Sequence, residues 1–378
     1  IMETMTKYDE NEPEVKQDIE NDAEQGAPIL SATAKAALEY HNHGLSPIPI
    51  KPRGKEPDCA SWPTYHFSPD CAATDFPARR NIGVKLGTAS SNLCDIDLDW
   101  PEARTMANAL EERGIITKAP TFGRKGSPKS HRLIRITDKP KTKQFKLPVR
   151  EERAEELGLE GEHATIPAEL RGNGAYTVFP PSTHKTDEAI AWTEGDTKTN
   201  LERVPELDYQ QALREVGLIA LCAVMLRFYP AEGNRHEFCM ALGGALIHAG
   251  YDQPEDDNSP SEVHDIVEAI AEAANDEEYV SRARSTRYTR SKFNADKEVT
   301  GLPRACEIAG IPDLKKTLKG WLPKVKSPQE LKIEELARMP NTEYLLSHER
   351  RATAEELGML PKVLDSLVVY ARDTLAAE

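Results

Sequence analysis

The sequence predicts an α+β domain that is followed by an all-α domain. Over residues 35–195, short segments with strand-like alternation are interleaved with helical segments, which indicates a mixed α and β fold. From Leu207 onward, apolar residues recur at helical spacing in segments of 14 to 16 residues. The length of 378 residues accommodates two or three such domains.

Composition divides the chain into four predicted segments. Residues 1–30 are acidic and poor in large apolar side chains, so we expect them to be disordered. Residues 31–205 should form the α+β domain and residues 206–321 a helical bundle. Residues 322–378 have a helical pattern but are too few for an independent core, so they are predicted to be a tail or linker.

The first elements follow from capping and turn residues. Ser31 is the predicted N-cap of a helix that ends at Gly44. The next segment, 45–50, contains two prolines, which cannot donate to a sheet ladder, and this predicts an edge strand. Further strands are predicted at residues 81–86, 92–99, 130–136, 165–170 and 175–179, with a helix over 101–113.

Helices are predicted at residues 213–228, 235–248 and 261–274. The longest apolar run, Val216 to Leu226, has eleven residues, whereas a membrane-spanning helix needs roughly twenty. The N-terminus also lacks the pattern of a signal peptide. The sequence therefore predicts a cytoplasmic location and no membrane partner.

The net charge of −15 argues against nucleic-acid binding, but its distribution is uneven. Residues 118–150 hold eleven Lys/Arg against one acid, and residues 281–304 hold seven against two. Local fields of this kind attract polyanions whatever the total charge. Either segment alone is equally typical of a solvated basic face.

The segment Leu93 to Asp99 alternates apolar and acidic residues. In a strand, Asp95, Asp97 and Asp99 would share one face, because alternate side chains point the same way. Divalent cations relieve the repulsion between such carboxylates. An edge strand with a solvated acidic face has the same pattern, and similar motifs occur in glycosyltransferases and phosphatases.

Two further clusters contain residues suited to phosphate or metal binding. A basic loop with Arg124 leads to Ser130 and His131, whose donors suit a triphosphate, although a plain surface loop has the same composition. Glu169 and Arg171 share one face of a later strand, where they could equally form a surface ion pair. The Gly172-Asn173-Gly174 turn after them predicts a hairpin with strand 175–179.

The order of these clusters resembles the archaeo-eukaryotic primase superfamily, and more narrowly the bifunctional primase–polymerase domains of phage and plasmid replication proteins. The resemblance covers roughly residues 35–195. Its supporting motifs are Ala37 to Gly44, Pro47 to Ile50, Lys55-Glu56-Pro57 with Trp62, Asn81 to Gly87, and Pro181 to His184 leading to Trp192. The family's usual paired glycines before the histidine are replaced here by Ser127-Pro128-Lys129-Ser130.

The resemblance implies a catalytic core with an RNA-recognition-like antiparallel sheet and an N-terminal α/β unit. It implies a nucleotidyltransferase (a DNA primase/DNA polymerase) of mobile-element replication, which initiates or extends a strand on a single-stranded DNA template and primer from nucleoside triphosphates. Asp95, Asp97 and Glu169 are the implied catalytic acids, and they would bind two Mg²⁺ or Mn²⁺ ions. The implied triphosphate contacts are Ser130, His131, Arg124 and Arg171.

The helical part also resembles the bundle that follows such cores and grips the template. Its basic segment implies DNA-backbone contacts by Arg282, Arg284, Arg287 and Arg290. The tail resembles a segment that joins primases to a replicative helicase, so a fused or separate helicase is an expected partner. Two rival functions remain open: a non-catalytic DNA-binding module that recruits a helicase, and a metal-dependent nuclease.

Overall fold

The computed structural model of the protein describes residues 30–161, 163–251, 261–295 and 297–323. The predicted disorder of the acidic N-terminus and nearly all of the predicted tail lie outside the described residues. Within these ranges, no helix combines the length and the apolar character needed to cross a bilayer.

The strands are β1 (Ser46–Ile50), β2 (Asn81–Lys85), β3 (Leu93–Asp97), β4 (Thr121–Arg124), β5 (Ser127–Ile136), β6 (Lys143–Phe145), β7 (Ala168–Arg171), β8 (Tyr176–Phe179), β9 (Ser182–Thr183), β10 (Ala189–Trp192) and β11 (Glu206–Leu207). The α-helices are α1 (Ala32–Asn42), α2 (Ala72–Asp75), α3 (Pro101–Glu112), α4 (Glu151–Glu156), α5 (Thr197–Glu202), α6 (Tyr209–Arg227), α7 (Arg235–His248), α8 (Glu262–Ala273), α9 (Tyr279–Asn294), α10 (Leu302–Ile308) and α11 (Lys315–Lys319).

The larger sheet has the order β6-β7-β3-β5-β4-β10-β9, with β11 added in parallel to β5. Its four central strands, β7-β3-β5-β4, pair antiparallel. Along the chain, β3 is the first of these four strands, β4 the second, β5 the third and β7 the fourth. Helix α3 joins the first strand to the second, as in an RNA-recognition fold. The predicted α+β class is therefore confirmed.

The smaller sheet has the order β1-β2-β8, and all its pairings are antiparallel. Its strand β1 lies at an edge, as its prolines predict. Helix α1 packs near this sheet, and the Ser31 Oγ atom accepts the backbone N–H of Ala34 at 2.9 Å, which confirms the predicted N-cap. The sheet and α1 share one apolar cluster with Leu93 and Leu133 from the larger sheet.

The other face of the larger sheet is covered by α3 and α6. Cys94 and Ile96 of β3 belong to the same apolar cluster as Met106 of α3 and Val216 of α6. Every residue from Val216 to Met225 is buried, which explains why this helix is apolar on all sides. The core thus continues across the boundary predicted between residues 205 and 206.

The predicted hairpin between β7 and β8 is wrong, because these strands belong to different sheets. The turn between them docks on the loop after β2 instead. The Asn173 Oδ1 atom accepts the Thr88 backbone N–H at 2.8 Å, and the Asn173 N–H donates to the Pro140 carbonyl at 2.6 Å. Close approach of Gly87 to Asn173 permits this contact. The turn therefore carries the chain from the larger sheet to the smaller one.

Candidate active site

The predicted acidic face lies on β3, one of the four central strands of the larger sheet, and faces the smaller sheet. Asp97 of β3 is directly opposite His131 of β5 and Glu169 of β7, and Asp95 is opposite Arg171. Directly opposite residues of antiparallel strands share a face. Five predicted site residues, distant in sequence, therefore meet on one face of three neighbouring strands.

His131 is bound by both aspartates of β3. Its Nδ1 atom lies 2.9 Å from Asp95 Oδ2 and 3.5 Å from Asp97 Oδ1. The ring is stacked on Phe122 with centroids 4.6 Å apart. The Thr177 hydroxyl, which comes from β8 of the smaller sheet, donates to Asp95 Oδ2 at 2.7 Å. The Asp95 carboxylate is thus held from both sheets, and the imidazole is held by residues of the larger sheet.

Arg171 lies between the other two carboxylates. Its Nη2 atom is 2.5 Å from Asp97 Oδ2, and its Nε atom donates to Glu169 Oε2 at 2.8 Å. The other oxygen of Glu169 accepts from the Gln144 side chain at 2.9 Å. Asp95, Asp97 and Glu169 are all buried, so these contacts supply the charge compensation that water cannot.

These contacts shift the pKa values of Asp95 and His131. Burial favours a higher pKa for Asp95, but His131, Arg171 and the Thr177 hydrogen bond together hold its pKa below the usual value. Burial also favours a lower pKa for His131, but Asp95 and Asp97 raise its pKa overall. The pair therefore favours a carboxylate beside an imidazolium.

Asp99 follows β3 and lies beside Asp97 at the mouth of the site. Burial and the charge of Asp97 raise the pKa of Asp99 to about 6, although nearby cationic groups oppose the rise. The sequence pattern grouped Asp99 with the other two aspartates but assigned it no role.

The acidic face opens into a cleft of about 310 Å³ between the sheets. Both Ser130 and His131 line it, although adjacent residues of a regular strand face opposite sides. The register between β4 and β5 shifts at this point, and Lys129 has a left-handed φ of 53°, so the strand is locally irregular. The cleft is also lined by Lys55, Arg104, Arg124, His163, Arg171 and His184.

Arg124 lines the cleft but already has a carboxylate partner. Its guanidinium pairs with Glu188, which also accepts the Gly126 backbone N–H at 2.5 Å. Triphosphate binding by Arg124 stays a prediction, and it would have to compete with Glu188.

One structural observation indicates that the acidic residues suit a divalent cation. The Asp95 Oδ1 atom is buried and has no hydrogen-bond partner, and a buried carboxylate oxygen of this kind is suited to a hard cation. A different group among the described residues has three possible metal-ligand atoms within 4.8 Å of one another. It consists of His264, Asp265 and Glu268 of α8. Asp95, Asp97 and Glu169 are not such a group, and Arg171 bridges Asp97 and Glu169.

The four arginines predicted to contact DNA lie on α9 but differ in exposure. Arg282 donates to Asp276 Oδ2 at 3.2 Å and also pairs with Glu278, and Arg290 is buried. Arg284 and Arg287 are exposed. Periodicity could not separate these pairs, because the helix has polar residues on every side.

Sequence reasoning missed several residues that shape the site. Gln144 and Thr177 bind the acids, and Lys55 and Arg104 line the cleft. Lys55 belongs to a motif that carried the family resemblance, so a signal existed for it. The other three had none, because their roles depend on contacts between separate strands and loops.

The architecture defines an α+β protein with an RNA-recognition-like sheet that presents clustered acidic and basic side chains to a cleft. Residues 37–207, which include every strand from β1 to β11, match the family model of the bifunctional DNA primase/polymerase N-terminal domain. This segment of the chain is similar to the domains of that family. Comparison with curated proteins finds no match.

The match to residues 37–207 supports a DNA primase/polymerase-type function in replication, with DNA and nucleotides as substrates. It confirms the family resemblance inferred from the motif order.

Proposed function

We propose that this protein is a template-directed nucleotidyltransferase that initiates or extends DNA strands during replication of a mobile genetic element. The observation that carries the proposal is the convergence of Asp95, Asp97 and Glu169 with His131 on one sheet face. The three carboxylates are buried, and one of their oxygens, Asp95 Oδ1, has no hydrogen-bond partner in the protein. A site that handles metal ions and phosphates accounts for both the acids and the cations around them.

The three acids would hold two Mg²⁺ or Mn²⁺ ions. When bound, such ions lower the pKa of an attacking hydroxyl and neutralise the leaving pyrophosphate. His131 and Thr177 orient Asp95, and Gln144 orients Glu169. A fixed carboxylate geometry of this kind reduces the reorganisation needed during reaction.

The cleft would receive the triphosphate of the incoming nucleotide. Ser130 and His131 offer hydroxyl and imidazole donors on its wall, and Lys55 and Arg104 add positive charge. The chain thus binds the triphosphate by charge-assisted hydrogen bonds. Arg124 and Arg171 would join them when released from their carboxylate partners.

Helix α9 is the proposed contact for template and primer. Arg284 and Arg287 are exposed there, and the large hydrophobic side chains exposed among the described residues, Val280, Tyr288 and Phe293, are all on this helix. Exposed aromatic rings beside cations suit single-stranded DNA, since bases stack on the rings. A replicative helicase, fused or separate, remains the proposed partner of the chain.

The test is a primer-extension assay with a single-stranded template, Mn²⁺ and each nucleotide set supplied separately. Asp97→Asn should abolish incorporation and leave the circular dichroism spectrum unchanged. The matched control is Asp70→Asn, an exposed aspartate of a surface turn, which should keep full activity.

The other outcomes would refute the assignment of the acids or indicate one of the two rival functions. Normal extension by Asp97→Asn would refute the assignment of the acids. Template binding without any product from the unmodified protein would indicate a non-catalytic module. Degradation of labelled DNA in the absence of nucleotides, lost in Asp97→Asn, would indicate a nuclease.

A further inference from the structure

The guanidinium of Arg171 occupies the space between Asp97 and Glu169. Its Nη2 atom is 2.5 Å from one carboxylate and its Nε atom is 2.8 Å from the other. Both acids are buried and lie directly opposite each other on β3 and β7. A cation bound jointly by these two carboxylates needs the same space.

We propose that Arg171 is an internal counter-ion that occupies the place of a divalent cation between Asp97 and Glu169 and must leave the acid cluster when metal binds. The inference rests on the proposed function and adds to it a coupling between metal binding and triphosphate binding. Release of Arg171 supplies the cleft with a free guanidinium, so metal binding prepares the site for the nucleotide triphosphate.

Charge balance requires a counter-ion in this place. Buried carboxylates without a partner are strongly destabilising. Asp95 pairs with His131 and accepts a hydrogen bond from Thr177, whereas the nearest cation to both Asp97 and Glu169 is Arg171. A guanidinium fork can bind two carboxylates at once, which the point charge of a lysine does poorly.

The geometry also permits the departure of Arg171. Its side chain is 21% exposed and lines the cleft, whereas the side chains of Asp97 and Glu169 are 8% and 9% exposed. The arginine therefore has open space on the side where the triphosphate is proposed to bind. Glu169 keeps its hydrogen bond from Gln144 and so stays in position when Arg171 leaves.

Competition between Arg171 and the metal has a measurable consequence. Mn²⁺ must displace the Arg171 guanidinium, so a variant that lacks this guanidinium should bind Mn²⁺ more tightly. We expect Arg171→Gln to bind Mn²⁺ about tenfold more tightly than the unmodified protein, as measured by calorimetry and by the electron paramagnetic resonance signal of free Mn²⁺. In EDTA the variant should unfold at a lower temperature, and Mn²⁺ should raise that temperature more than in the unmodified protein.

The matched control is Arg153→Gln. Arg153 also pairs with two carboxylates, Glu156 at 2.9 Å and Asp313 at 3.1 Å, and its side chain is 32% exposed. It does not line the cleft. Its replacement should leave Mn²⁺ affinity unchanged.

Arg171→Lys keeps the test decisive if the glutamine variant does not fold. The lysine retains the charge but not the fork, so its Mn²⁺ affinity should exceed that of the unmodified protein. Unchanged Mn²⁺ affinity in every folded Arg171 variant would overturn the inference, while Mn²⁺ binding that depends on Asp97 would leave the proposed function standing. Failure of the unmodified protein to bind Mn²⁺ would overturn both.

Discussion

The hydrogen bond from Thr177 to Asp95 links the two sheets at the acidic face, and its removal should be costly. Thr177→Val replaces the hydroxyl with a methyl of similar size. A hydrogen bond to a charged group contributes about 1.5–3 kcal/mol, and the new methyl recovers about 0.8 kcal/mol. Thr177 is only 3% exposed, so water cannot replace the lost donor. We expect a net loss of about 1–2 kcal/mol in the free energy of unfolding.

Urea denaturation in EDTA measures this change without interference from metal. The control is Thr286→Val on α9. Thr286 is equally buried, but its hydroxyl donates to the uncharged backbone carbonyl of Ala283 at 2.6 Å, so its loss should cost less. Equal stability of the Thr177→Val variant and the unmodified protein would refute the claim that this bond supports a charged Asp95. Primer extension should also weaken, since Asp95 loses one of its two orienting contacts.

Three other changes test the electrostatics, the DNA contacts and the turn between the sheets. The raised pKa of His131 means that its stabilising charge is fully present below about pH 6.5 and is lost as pH rises through the raised value. Unfolding followed from pH 5 to 9 in EDTA should show this loss, and a His131→Asn variant should not. Joint replacement of Arg284 and Arg287 by Gln should weaken single-stranded DNA binding and reduce its salt dependence by up to about two ions, measured by fluorescence anisotropy in a salt series; an unchanged slope would exclude these contacts. Gly87→Ala should destabilise the protein by at least about 1 kcal/mol in urea, because φ is +73° and the added methyl would lie 2.1 Å from Asn173 Oδ1.

Much of the site could be predicted because its signals are local. Alternation along residues 93–99 placed Asp95 and Asp97 on one face of a strand, whatever the rest of the fold. Capping at Ser31 and the periodicity of 235–248 likewise depend on neighbours within a few residues, and the structure places both helices as predicted. The order of the motifs then indicated the family, which the match to residues 37–207 confirms.

The partners of each charged side chain depended on the tertiary structure. The sequence placed Glu169 and Arg171 on one face, but only the pairing of β7 with β3 brought Arg171 between two acids. Thr177 contacts Asp95 from a different sheet, whereas the sequence predicted that β7 and β8 form a hairpin. That prediction failed because the turn before β8 is bound by the loop of Gly87 and Thr88, which is distant in sequence.

The helical region shows the same division. Its helices were evident from apolar spacing, but the exposure of Arg284 and the burial of Arg290 on one basic helix were not. Secondary structure and face are set by short-range sterics and periodicity, so the sequence determines them directly. Register, sheet partners and burial arise from contacts between residues far apart in the chain, and these decided which charges meet in the cleft.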